Sequence, residues 1–249
     1  MKFVKVETKE GIATIVLNRG KVNALNGEVV NELRESLKTL EYNQNLKAIV
    51  LTGYGTFFSF GFDIPEFLSF TKEEFTDYLI NFTDLYTYLF LYPKPVIAAL
   101  NGHTIAGGCM LALACDSRVM VDGKSKISLN EIAFGSSVFA GGTEMLRFCI
   151  GSANATKVLY SGAMYSAEEA MRFGLVDSVL TGQNLMVQAR SIASDLASKH
   201  LPAFASIKAL LRKPIAEDIM QRERESIQEF VDIWYSEATW ANLQTIKIH

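Results

Sequence analysis

Short apolar runs of strand composition alternate along the chain with longer stretches in which apolar side chains return every three or four positions. Residues 3–18, FVKVETKEGIATIVLN, hold two β-rich runs around Lys9-Glu10-Gly11, a hairpin by turn chemistry. In 24–41, Val29, Val30, Leu33, Leu37 and Leu40 fall on one helical face, with Asn26 placed to cap it. Residues 46–53 (LKAIVLTG), 94–102 (KPVIAALNG) and 117–123 (SRVMVDG) read as strands. A helix at 71–92 lies between the first two, opened by a capping box from Thr71 to Glu74 and stopped before Pro93. Strands alternating with helices predict an α/β domain with mostly parallel strands.

After residue 140 the rhythm turns mainly helical, at 141–151, 166–174, 184–199 and 202–213. Ser166 with Glu169 forms a second capping box, and Gly174 reads as the C-cap of that helix. The last stretch, 215–246, is amphipathic and carries Trp234 and Trp240, which look exposed. Such aromatic anchors either fold back on the core or pack on another subunit. Nothing resembling a linker divides the chain. The expected organisation is a core over 1–200 and a helical region over 201–249 in the same folding unit.

Composition narrows the function classes. With 49% hydrophobic and 20% charged residues, the 249-residue chain can bury a substantial core. A net charge of −3 speaks against a nucleic-acid partner, which needs a basic face. The most basic cluster, IKALLRK at 207–213, suits one phosphate-bearing ligand better than a polymer. Cys109, Cys115 and Cys149 lie in apolar stretches and read as buried free thiols. Three histidines without ligand spacing leave a metal site little to build on. No apolar run is long enough to span a bilayer and no signal peptide is evident, so a cytoplasmic protein without membrane contact is expected.

The stretch AGGCMLALACDSRVM (106–120) reads as a buried, glycine-opened helix running into a strand, and SLNE (128–131) ends in the carboxylate of Glu131. A helix N-terminus presents unsatisfied N–H groups, and glycine there lets a ligand come close. The Gly107 amide is therefore a candidate oxyanion donor. A second amide could come from the glycine turn in FFSFGFD (57–63), each donor being worth roughly 3 kcal/mol of barrier in the best-studied case. Glu131 is a candidate base, although by itself it reads more simply as a loop carboxylate pairing with Lys124 or Lys126. Glu144 and Glu66 are its rivals. His103 could orient the glycine loop or be structural. The aromatic helix at 71–92 is either core or the wall of a ligand pocket.

Taken in order, FFSFGFD, NGHTIAGGCMLALACD, SLNE and GLVDSV (174–179) resemble the crotonase, or enoyl-CoA hydratase/isomerase, superfamily. The resemblance implies a spiral of ββα units with a C-terminal helical trimerisation region, assembled as a homotrimer or a dimer of trimers. It also implies an acyl-CoA thioester substrate, coenzyme A being part of the substrate rather than a cofactor. Its oxyanion hole maps onto the amides of Phe62 and Gly107. Coenzyme A would be held by backbone groups near Ala24 and in the turn of Phe60, Gly61, Asp63 and Ile64, with Lys208 or Arg212 reaching a phosphate.

Hydratases of this kind use two glutamates, and the positions that match them here are Met110 and Glu131. A thioether can neither activate water nor deliver a proton. Shifting a double bond from C3–C4 to C2–C3 needs only one base, so the resemblance points to Δ3,Δ2-enoyl-CoA isomerases, with Glu131 catalytic and Asn130 touching substrate. Alternatives are a hydratase working with Glu131 alone or another crotonase reaction, such as thioester hydrolysis or dienoyl isomerisation. More remote is a non-catalytic RNA-binding homologue, which would carry a lysine-rich helix that is not found here.

Overall fold

The computed structural model describes residues 1–246. Its first unit is β1 (Val4–Lys9), β2 (Ile12–Leu17) and α1 (Gly27–Tyr42). β1 and β2 pair antiparallel through a two-residue turn in which Glu10 and Gly11 both have positive φ, as a type I′ hairpin requires. Asn26 caps α1 by accepting from the Val29 N–H at 3.1 Å, which buries Val29, Val30, Leu33, Leu37 and Leu40 on one face.

Three further units follow: β3 (Ala48–Gly53), β4 (Phe57–Ser59), α2 (Ile64–Phe67) and α3 (Lys72–Phe90); then β5 (Val96–Leu100), β6 (His103–Ile105) and α4 (Gly107–Ala114). The third comprises β7 (Ser117–Val121), β8 (Lys126–Ser128), a 3₁₀ turn (Glu131–Phe134) and α5 (Ala140–Ser161). The chain closes with β9 (Tyr165–Ser166), α6 (Ala167–Phe173), β10 (Ser178–Leu180), α7 (Gly182–Ala197), α8 (Leu201–Trp234) and α9 (Glu237–Leu243).

The first unit keeps both strands in one sheet, and each of the three that follow gives its first strand to that sheet and its second to another. The six-stranded sheet has the order β1-β2-β3-β5-β7-β10, parallel beyond the hairpin, and the smaller sheet runs β4-β6-β8-β9. This ββα repetition is the spiral that the resemblance implied. The central strands are apolar throughout because both faces are covered. Ile49, Leu51, Ala98 and Leu100 join the main core, while Ala48, Val50, Ile97 and Ala99 face a smaller cluster with Leu185, Ala189 and Ala193 of α7. The aromatic side of α3 and the inner face of α8 meet in the main core, with Phe75 4.7 Å from Trp234.

Both capping boxes form as the sequence predicts, and Gly174 closes α6 in the left-handed conformation. Two expectations change in the C-terminal half. Residues 202–213 and 215–246 are not separate helices, because α8 continues through Pro214 to Trp234. Proline removes one backbone donor, but Ala216, Ile219, Ile227 and Phe230 beyond it are buried in the core and hold the helix together. Trp234 is not exposed: it is 1% accessible and packed on Phe75 and Phe230, while Trp240 is half-buried against Tyr235. Cys109 and Cys115 are buried thiols, and Cys149 is half-buried. Among the described residues, no helix is long and apolar enough to cross a membrane.

Candidate active site

The approach of β4 to the start of α4 builds one wall of the site. After β4 the chain turns at Gly61, φ +93°, and Phe62 pairs with Leu25 through Leu25 N–H to Gly61 O (2.7 Å) and Asp63 N–H to Leu25 O (3.1 Å). A Cβ on Gly61 would sit 2.8 Å from the Ile105 carbonyl and 3.1 Å from the Gly107 nitrogen. Only glycine combines that φ with that contact. In α4 itself, a Cβ on Gly108 would come within 2.6 Å of the Ser59 carbonyl, so glycine there is what lets α4 lie against β4.

Ala106 joins β6 to α4 at φ 49° and ψ −119°, a region costing about 1–3 kcal/mol for a residue with a side chain. It is pinned at both ends, its N–H donating to Ser128 O at 2.8 Å and its carbonyl accepting from Met110 N–H at 3.0 Å. Nothing in the sequence signals this strain, because alanine is unremarkable by type. Immediately beyond it is the Gly107 N–H. Among the described residues, neither the Gly107 amide nor the Phe62 amide donates to a loop, turn or side-chain acceptor. Two neighbouring amides, at a strained junction and a glycine turn, are thus left open beside one another.

Phe62 and Ala106 line a cavity of about 230 Å³, and Glu131 and Asn130 line the same cavity. Glu131 starts the 3₁₀ turn after β8, is 4% exposed, and makes no ion pair among the described residues. One of its oxygens, Oε2, has no hydrogen-bond partner, and neither has Oδ1 of Asn130. Burial pushes the Glu131 carboxyl up to about 8, partly offset by its own backbone N–H. The surface pairing with Lys124 or Lys126 does not form. A buried, unpaired carboxylate beside open amides is the kind of group that binds and releases protons on a reacting molecule.

The rival acids are committed elsewhere. Glu144 pairs with Arg147 at 3.0 Å and Arg222 at 2.7 Å. Glu66 pairs with Arg19 at 3.0 Å and accepts from Asn26. Met110, where a second catalytic acid would stand, is 1% exposed and packs on α5, its Cε 3.3 Å from where a Gly142 Cβ would lie. His103 packs on Phe57 in a tilted arrangement with ring centroids 5.0 Å apart, and burial holds its imidazole below the ordinary value.

Of the expected substrate-contacting residues, Phe60, Ile64 and Asn130 line the cavity with Phe62 and Glu131, and Gly61 adjoins them. Ala24 is buried one residue before the Leu25 bridge, its carbonyl accepting from Arg19 at 3.3 Å. The Asp63 side chain is taken up by Arg19 at 2.6 Å and by the start of α2.

Lys208 needs correction. Its side chain is 4% exposed and bonded to Asp116 at 2.8 Å, away from the cavity, so it is not poised to take a phosphate. Arg212 shares that carboxylate at 3.1 Å and also donates to the Phe90, Ala114 and Cys115 carbonyls. Of the basic cluster read from 207–213, Lys208 and Arg212 form a buried tie between α8 and the loop before β7, while Lys213 is exposed.

The aromatic helix α3 backs the site without walling it. Phe62 packs its ring on Tyr78 and Phe82 at 5.3 and 5.0 Å, while the cavity surface comes from Phe134, Phe139, Phe230 and Trp234. Two residues that the sequence reading missed hold the carboxylate's turn in place. Thr239 Oγ1 of α9 donates to Gly135 O at 2.6 Å, and Asn242 Nδ2 donates to Phe134 O at 3.2 Å. Their spacing, i and i+3 on one helix, was visible; what they would meet was not.

Comparison with known proteins places this geometry. Mitochondrial enoyl-CoA delta isomerase 1 of Mus musculus is 31% identical over 230 residues, covering 92% of this chain and 80% of the relative. Short-chain-enoyl-CoA hydratase of Clostridium acetobutylicum is 32% identical over 214 residues, covering 85% and 82%. The crystal structure of human mitochondrial delta3-delta2-enoyl-CoA isomerase superposes with a TM-score of 0.92 at 28% identity, over 97% of this chain and 95% of that one. Residues 7–239 match the enoyl-CoA hydratase/isomerase family, and the chain belongs to it.

Proposed function

We propose that this enzyme is a Δ3,Δ2-enoyl-CoA isomerase in which Glu131 is the single acid–base group. The observation that carries the reading is that Glu131 is the sole ionisable side chain among the described residues lining the cavity, with Met110 standing where a partner acid would be. The thioester oxygen of a 3-enoyl-CoA accepts from the amides of Phe62 and Gly107. Glu131 takes a proton from C2, and the C–H electron pair becomes part of a dienolate whose negative oxygen the two amides hold. The protonated carboxyl then returns the proton to C4, the double bond settles between C2 and C3, and the thioester carbonyl re-forms. A carboxyl near 8 is a stronger base than a solvated one, and its burial favours the neutral form that follows proton abstraction. Coenzyme A is held by backbone groups near Ala24 and in the turn from Phe60 to Ile64. Hydration requires a second group to manage water, and methionine supplies none.

The relatives above include both an isomerase and a hydratase by name, which makes the product the deciding measurement. Incubation with a 3-enoyl-CoA should yield the 2-enoyl-CoA, and incubation with the 2-enoyl-CoA should yield little 3-hydroxyacyl-CoA. Rapid hydration with no isomerisation would refute the reading. The assembly proposed with it is a homotrimer or a pair of trimers, which light scattering at micromolar concentration tests; a monomeric mass would refute it.

A further inference from the structure

The residues lining the cavity differ in exposure. Asn130 and Phe134 are half-buried and Glu131 is 4% exposed, while Phe139, Phe230 and Trp234 are at 1% or less. The last three interlock: Phe139 and Phe230 are 4.5 Å apart, Phe230 and Trp234 5.7 Å, and Trp234 lies 4.7 Å from Phe75 behind it on α3. Rings clamped between two packed helices are a closed floor, since close-packed interiors yield little. The cavity holds about 230 Å³. An apolar cavity of about 150 Å³ takes one benzene, so in proportion this one takes roughly nine carbons, less what the thioester end occupies beside Glu131.

We infer that the enzyme is selective for acyl groups of about eight carbons or fewer, with Phe230 and Trp234 setting the limit. This rests on reading the cavity as the acyl site of the proposed isomerase. Its test uses unreactive ligands, so that it does not depend on which reaction occurs.

Isothermal titration with free coenzyme A and with butanoyl-, hexanoyl-, octanoyl-, dodecanoyl- and hexadecanoyl-CoA supplies the series. Affinity should rise by up to about fourfold per buried methylene, from ~0.8 kcal/mol each, and then stop rising near octanoyl. Phe230→Leu and Phe230→Ala open the floor and should move the break toward dodecanoyl; the leucine variant and the parent series suffice if the alanine variant does not fold. An affinity that climbs steadily to hexadecanoyl in the parent would overturn the inference, as would a break that Phe230→Leu leaves unmoved. A preserved break with no turnover of 3-enoyl-CoA would instead sink the isomerase reading alone. Absence of binding by every acyl-CoA would overturn both.

Discussion

Replacing Glu131 by glutamine keeps the side chain's shape and removes its proton chemistry, and two independent consequences can be worked out. The catalytic one is a loss of isomerisation on the order of 10² to 10⁴, at the upper end for a sole base. Binding of acyl-CoA should change little, since the amides of Phe62 and Gly107 are untouched. The second consequence is on stability. Moving the carboxyl from 4.5 to about 8 corresponds to about 5 kcal/mol of lost solvation, at ~1.36 kcal/mol per tenfold change in proton affinity.

The sign follows from proton counting. Below 4.5 the group is protonated in both the folded and the unfolded chain and contributes no penalty. Between 4.5 and about 8 the folded chain keeps a proton that the unfolded chain releases, so the parent loses stability as pH rises through this window. Glutamine does not titrate. Urea unfolding of both proteins at about pH 5 and about pH 9 should therefore show the variant gaining on the parent by several kcal/mol at the alkaline end. Parallel stability profiles would mean that Glu131 is solvated, and a variant that isomerises at near the parent rate would give the proton transfer to another group.

Several other perturbations separate the parts of the site. In the parent, kcat/KM for a 3-enoyl-CoA should rise with pH, reach half its plateau near 8 and level off above it, as the free enzyme's base becomes ionised; a flat profile from pH 6 to 9 would refute the assignment. Gly61→Ala adds a Cβ 2.8 Å from Ile105 O at a φ of +93°, displacing the two amides, and should lower kcat by about 10² or more while acyl-CoA still binds. Asp116→Asn leaves Lys208 and Arg212 buried without their counter-charge and should destabilise the fold by about 3–5 kcal/mol without altering coenzyme A affinity; weaker binding with unchanged stability would restore a phosphate role to Lys208. Thr239→Val removes the bond to Gly135 O and should shift the pH–rate limb and lower kcat with KM little changed, which a purely structural residue would not do.

What could be read from the sequence divides by distance along the chain. The caps of α1, α3 and α6 and the hairpin turn depend on residues within four positions of each other, and they stand where the pattern put them. Lys208 was misread because its partner is 92 residues away on the loop before β7. On its own helix it has Arg212 and Lys213 nearby and looks like a basic patch. Trp234 was misread for the same reason: its cover is Phe75, on a helix begun about two-thirds of the chain earlier. The sequence pattern ended one helix at 213, yet the helix continues through Pro214 because the core accepts Ala216 and Ile219 beyond it.

The site shows the same division more sharply. Gly61 and Gly107–Gly108 are legible as an opening because glycine is recognisable by type, and family resemblance supplies their order. Ala106 carries the strained φ beside the Gly107 amide with no mark of it in the sequence. The chemical character of Glu131 is a matter of what is missing around it: no cation, an unpaired oxygen, and a methionine packed where a second acid would stand. A sequence displays which groups are present but not which of them will find partners. The sequence preferred Glu131 to Glu66 and Glu144 only through the family resemblance; the fold adds a physical reason, giving arginines to the two rivals and leaving Glu131 unpaired beside the open amides. The proposed role of Glu131 as base rests on its isolation more than on its identity.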